Sequence, residues 1–174
     1  MALEVERKYL VVNDTWRGEA AASRHIEDHL IARFEGGKAR VRLCEDQPTL
    51  TLKGERHGAA RSEYHVSLTS DDAQGIISEF AKGPGLEKLR HEVKVGEHLW
   101  QVDEYLGPLL GLVTAEIELG AESEDFDIPE WTGREITGDT RLSSAVLAEA
   151  SRDPNGAAQI ITLYGVNAVG GSND

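Results

Sequence analysis

Cysteine is almost absent: Cys44 is the only one in 174 residues. An intrachain disulfide and a thiolate-based zinc site are therefore excluded. Long apolar runs are missing as well. No stretch approaches the ~20 residues that a membrane-spanning helix needs, and charge arrives at Glu4, so no secretion signal is read. The expectation is a soluble, cytoplasmic protein. Positive charge is scarce, with 18 Lys and Arg against 31 Asp and Glu and a net charge of −13. Such a surface argues against nucleic-acid and membrane partners but leaves room for a locally basic site. There is no internal repeat. Lys82-Gly83-Pro84-Gly85 lacks the spacing of a phosphate-cradling loop and reads as a turn. The length and a hydrophobic fraction of 40% suit one domain with a sizeable core.

What the chain does have is period-two alternation. In a strand, successive side chains point to opposite faces. Glu4, Glu6 and Lys8 thus share one face, and Leu3, Val5 and Tyr9 share the other with Arg7. A strand from His25 to Glu35 ends at the hairpin signal Gly36-Gly37. The return strand sets Arg40 and Arg42 against Val41 and Leu43. Thr49, Thr51 and Lys53 oppose Leu50 and Leu52; Arg61, Glu63 and His65 oppose Tyr64 and Val66. Lys88 and Arg90 alternate with Leu89, Asp103 with Val102, and Glu116 and Glu118 with Ala115 and Ile117. Helical signals are few. Ser70, followed by Asp71 and Asp72, suits the start of a helix ending before Gly83. Asp139 suits the cap of a helix from Leu142 to about Ser151, stopped by Asp153-Pro154-Asn155-Gly156. Glu19 to Ser23 reads as a helical turn, and Gly170 to Asp174 as disordered. Residues 1–152 form the expected domain, and 153–174 a partly flexible tail.

Many short strands and few helices point to a mainly β (α+β) protein, an antiparallel barrel or a strongly curved sheet. The polar face is the unusual one. It carries long ionisable groups of both signs rather than Ser, Thr, Gln and Asn. If the sheet closes, that face can line a charged lumen, with the apolar face outside under two helices. Arginine and lysine grip phosphate oxygens. Clustered carboxylates hold hard cations such as Mg²⁺ or Mn²⁺. A metal-bridged phosphate chain would use both and keep the acids and bases from collapsing into ion pairs.

The ordered set Glu4-x-Glu6-x-Lys8, Arg40-x-Arg42, Thr51-Leu52-Lys53, Lys88-x-Arg90, Asp103 and Glu116-x-Glu118 resembles the CYTH superfamily, the triphosphate tunnel metalloenzymes, from about residue 3 to residue 150. The resemblance implies an eight-stranded antiparallel β-barrel tunnel, with Mg²⁺ or Mn²⁺ held by Glu4, Glu6, Glu116 and Glu118 and Asp103 in or near that shell. It assigns phosphate binding to Lys8, Arg40, Arg42, Lys53 and Arg90, with Arg61 a further candidate that has Glu63 as its alternative partner. Lys88 would stand near the attacking water or the leaving phosphate. Compact bacterial tripolyphosphatases pair that lysine with a tyrosine in a Gly-Tyr-Leu stretch. Here the stretch reads Asp28-His29-Leu30, which makes His29 the proton-handling candidate. His65 stands where a second carboxylate is common, and Arg141-Leu142-Ser143-Ser144 replaces an Arg-Tyr-x-Asn-like end.

The expected activity is metal-dependent hydrolysis of inorganic triphosphate, a small-molecule substrate. The alternatives are an organic triphosphate at the same site, as in thiamine triphosphatases and class IV adenylyl cyclases, or a non-catalytic polyphosphate-binding module. A homodimer is compatible with the sequence.

Overall fold

The computed structural model describes residues 3–45 and 47–166. Strands β1 (Leu3–Val11), β2 (Ala20–Phe34), β3 (Gly37–Cys44), β4 (Thr49–His57) and β5 (Ala60–Ser67) precede helix α1 (Ser70–Phe80). Strands β6 (Leu86–Val95), β7 (His98–Tyr105), β8 (Val113–Glu118) and β9 (Thr132–Glu135) follow, then helices α2 (Ser144–Ala150) and α3 (Pro154–Tyr164). The sheet runs β5-β4-β3-β2-β6-β7-β8-β1, and a β5–β1 pairing closes it into an eight-stranded antiparallel barrel. That closing seam is short: Leu3, Glu4 and Val5 face Ser62, Arg61 and Ala60. β1 meets β8 over Glu6 to Leu10. β9 joins β1 beyond the seam, at Tyr9 and Val11.

Tight turns hold the hairpins. Gly36, Gly58 and Gly96 take φ of 72°, 63° and 58°, a region that costs L side chains strain. The hairpin at Gly36-Gly37 falls where the sequence puts it. The 19–23 segment does not. A 3₁₀ turn spans Thr15–Glu19 instead, and Ala20 already pairs with Val93 of β6. Pairing with a neighbouring strand outweighs the helix preference of the alanines.

The helices also start elsewhere than expected. Thr69, not Ser70, caps α1, its hydroxyl accepting the Asp72 N–H at 3.1 Å. Asp139 caps a 3₁₀ turn, Thr140–Leu142, and Ser143 caps α2. Asp153 accepts from the Asn155 and Gly156 N–H groups and opens α3 with Pro154 in its first turn. Asp-Pro is therefore a start signal here, because proline lacks only a donor that the first turn leaves unpaired anyway. Ile160 and Tyr164, on the expected flexible tail, pack with Leu109 and Leu112. The stretch Gly170–Asp174, expected to be disordered, lies outside the described residues.

The apolar groups divide in two. Val5, Tyr9, Val93, Trp100, Val102, Ala115 and Ile117 point away from the lumen and are covered by Leu119, Phe126 and Trp131 of the β8–β9 connection. Trp100 stacks edge-on against Trp131 with centroids 5.5 Å apart. This cover is a loop where helices were expected; α1 packs mainly on β2 and β3. Leu10, Leu86 and Tyr105 share the inward face and meet Leu142, Leu147 and Ala148 around α2. The lumen thus turns apolar at one end and acquires a floor. Among the described residues no helix is long and apolar enough to cross a membrane.

Trp100→Ala removes a fully buried indole and should cost about 3–5 kcal/mol of unfolding free energy in denaturant titration. Val66→Ala, on the exposed outer face of β5, should change stability by about 0.5 kcal/mol or less.

Candidate active site

Strand parity and register bring the polar residues together. Glu6 stands opposite Glu118 and Lys8 opposite Glu116 across β1 and β8. Arg90 faces Asp103 across β6 and β7. Lys38 faces Lys53 across β3 and β4, and Lys53 faces Glu63 across β4 and β5. The result is a cavity of about 900 Å³. Its wall includes Glu4, Glu6, Lys8, Arg40, Arg42, Lys53, Arg61, Lys88, Arg90, Glu116 and Glu118. Asp103 is buried in the wall behind Lys88 and Arg90. Of the residues singled out in the sequence, the structure gathers all but one around a single cavity.

The exception is His29. Asp28, its neighbour on β2, lines the cavity; His29 points the other way, is buried, and sets Nε2 2.8 Å from Glu27 Oε1. Period two allows only one of two adjacent residues to face the lumen, and the inward one is the aspartate. The expected place of His29 beside Lys88 is thereby corrected.

The charges do form ion pairs, contrary to the expectation that they stay apart. Asp28 accepts from Arg40 Nη1 at 3.1 Å and from Arg42 Nε and Nη2 at 2.8 and 3.0 Å. Asp103 accepts from Arg90 Nε and Nη2 at 2.6 and 2.7 Å and from Lys88. Arg90 also reaches Glu116, which lies 3.5 Å from Lys8 Nζ. Arg61 does not pair with Glu63. It bonds Glu4 at 2.7 Å and Glu6 at 2.8 Å, while Glu63 is taken by Lys53. Unmet buried charge is costly, so these pairings follow from the low local dielectric.

Proton affinities move accordingly. Burial alone would raise the Asp28 carboxyl, but Arg40 and Arg42 hold it well below the usual range. Glu116 is depressed despite burial by Arg90, Lys8 and Lys88. Glu118 goes the other way, raised by burial and by Glu116, Glu4 and Glu6. The Lys88 ammonium is pushed down to about 7 by burial and by Arg90, against the pull of Asp103.

No three acidic or imidazole groups among the described residues form a ready-made ligand set, because Glu4, Glu6 and Glu116 are taken by cations. The donor chemistry still fits a hard divalent cation: Glu4, Glu6, Glu116 and Glu118 line one cavity, and Glu118 is raised by burial and then by the other three carboxylates. His65 also lines the cavity, with a largely exposed ring whose Nε2 lies 3.3 Å from Glu63.

The sequence reading passed over Asp28, Lys38, Arg24 and Arg56, which also line the cavity. Lys38 was within reach, since it shares parity with Arg40 and Arg42. Arg56, which bonds Glu6, was not: a register irregularity between Lys53 and Arg56 resets the alternation.

Known proteins resemble this chain in sequence and in fold. A curated inorganic triphosphatase from Acetivibrio thermocellus is 36% identical over 150 residues, which span 86% of this chain and 95% of that protein. An inorganic triphosphatase from Nitrosomonas europaea is 29% identical over 148 residues, 83% of this chain and 96% of that one. A crystal structure of an inorganic triphosphatase superposes with a TM-score of 0.60 at 27% identity, over 83% of this chain and 97% of the other. A putative adenylate cyclase from Bacillus halodurans, 18% identical with a TM-score of 0.55 over 70% of this chain and 84% of that one, shares the fold. The CYTH domain model matches residues 2–150. With that match spanning nearly all the barrel, and with the charged lumen that the barrel encloses, the chain belongs to the CYTH domain family.

Proposed function

We propose that this chain hydrolyses inorganic triphosphate in its charged lumen, as a metal-dependent phosphoanhydride hydrolase. What carries the reading is one cavity in which Arg40, Arg42, Lys53, Arg61 and Arg90 meet Glu4, Glu6, Glu116 and Glu118. The cations match the oxygens of a phosphate chain. Lys8 and Arg90, both beside Glu116, stand where phosphate and metal sites would join. Mg²⁺ or Mn²⁺, held by Glu4, Glu6, Glu116 and Glu118 with Asp103 close by, would supply charge neutralisation at the phosphate oxygens.

Water attacks the terminal phosphorus in line with the bridging oxygen; a P–O bond forms as the bridging bond breaks, giving orthophosphate and pyrophosphate. Lys88 handles the proton. With its ammonium pushed down to about 7, a large share of the amine is neutral near neutral pH and accepts a proton from the attacking water. Asp103 against Nζ stabilises the ammonium that results. His29 has no part, being outside the lumen. The net charge of −13 repels anionic polymers and membranes, in keeping with a small-molecule enzyme of the cytoplasm.

Phosphate release from tripolyphosphate, thiamine triphosphate and ATP tests this reading directly. Release from the first should dominate, stop on chelation of divalent ions and return when they are restored. No release from tripolyphosphate between acid and strongly alkaline pH would end it. Neutral Lys88 is the active form, so the rate should climb as pH rises through about 7. Lys88→Ala should lower kcat by about 10²-fold or more and flatten that climb, whereas His29→Gln should leave it in place. Glu116→Gln should raise the divalent-ion concentration for half-maximal rate by about tenfold or more, measured by metal titration.

A further inference from the structure

Nine of the ten lysines and arginines lining the cavity lie within ion-pair distance of a carboxylate: Lys8, Arg24, Arg40, Arg42, Lys53, Arg56, Arg61, Lys88 and Arg90. Lys38 does not. Among the described residues its only side-chain partner is the Ser144 hydroxyl, 2.6 Å from Nζ. It stands on the inward face of β3 with Arg40 and Arg42, opposite Lys53. Ser144 lies in the first turn of α2, the helix that borders the apolar floor through Leu147 and Ala148. The ammonium is therefore pinned beside the floor, among other cations, with nothing negative to meet it.

We propose that Lys38, positioned by Ser144, forms a phosphate subsite next to the cavity floor that takes an end phosphate of the substrate and discriminates triphosphate from pyrophosphate. The inference rests on the triphosphatase reading above and adds a residue to it. Leaving a half-buried ammonium without a counter-charge costs free energy. A phosphate oxygen arriving there removes that cost, so the subsite favours whichever ligand is long enough to reach it. The surroundings agree: burial, Arg61, Arg40, Lys53 and Lys8 together push the Lys38 ammonium down to about 7. A dianionic phosphate would restore its charge.

The test compares wild type with Lys38→Met, Lys38→Arg and Ser144→Ala. Turnover of tripolyphosphate gives KM and kcat. Calorimetry with tripolyphosphate and with pyrophosphate, each with EDTA so that no turnover runs, gives affinity. Lys38→Met should raise KM and weaken tripolyphosphate binding about tenfold, with kcat held within roughly threefold and pyrophosphate affinity little changed. Lys38→Arg should restore most of the binding. Ser144→Ala should raise KM a few fold, and it carries the test alone if Lys38→Met does not fold. Unchanged KM and affinity, a loss confined to kcat, or an equal loss for both phosphates would overturn the subsite. Wild type that neither binds nor cleaves tripolyphosphate would instead bring down the parent reading. Wild type that cleaves it, with variants that match it, brings down the subsite alone.

Discussion

Taking a carboxylate or an ammonium out of water costs several kcal/mol unless an opposite charge meets it. The interior of this barrel holds more than a dozen such groups, and everything else about the fold follows from the need to neutralise them locally. Asp28 between Arg40 and Arg42, Asp103 between Lys88 and Arg90, and Glu4 and Glu6 between Lys53, Arg56 and Arg61 are three solutions to the same problem. Each set bridges at least two neighbouring strands, so the charges that define the lumen also fasten its wall. Breaking one pair by removing a partner leaves an uncompensated buried charge, which is strongly destabilising.

The same ion pairs describe how the cavity changes hands. On the proposed reading, a phosphate chain would compete with Asp28 and Glu4 for the arginines, and a divalent cation would compete with the arginines for Glu4 and Glu6. Neither ligand would have to enter an uncharged pocket; each would replace an internal counter-ion of its own sign. Pre-formed pairing keeps the side chains ordered, so less rotamer entropy is lost when ligands arrive.

Much of this was legible from period two. Alternation assigns each residue to a face without any knowledge of which strands pair, and that sufficed to place Glu4, Glu6, Lys8, Arg40, Arg42 and Glu116 together. It failed where the alternation is interrupted. β2 shifts register near Ala20 and again near Leu30, so its parity was not legible, and His29 was named from the resemblance of Asp28-His29-Leu30 to a Gly-Tyr-Leu stretch. Arg56 was lost to the irregularity in β4. At the other end of the chain, Asp153-Pro154 fits both a helix stop and a helix start, and only the packing of Ile160 and Tyr164 against Leu109 and Leu112 decides between them.

The three-residue β1–β5 seam has a bearing on how the protein is made. Within the barrel β1 comes first in chain order, yet its partner on one side ends at Ser67 and on the other at Glu118. At least one edge of β1, with Glu6 and Lys8 on it, therefore stays open and hydrated until β8 is made and the ring can shut. Keeping that leading strand highly charged holds it in water meanwhile and blunts its tendency to pair with a neighbouring nascent chain.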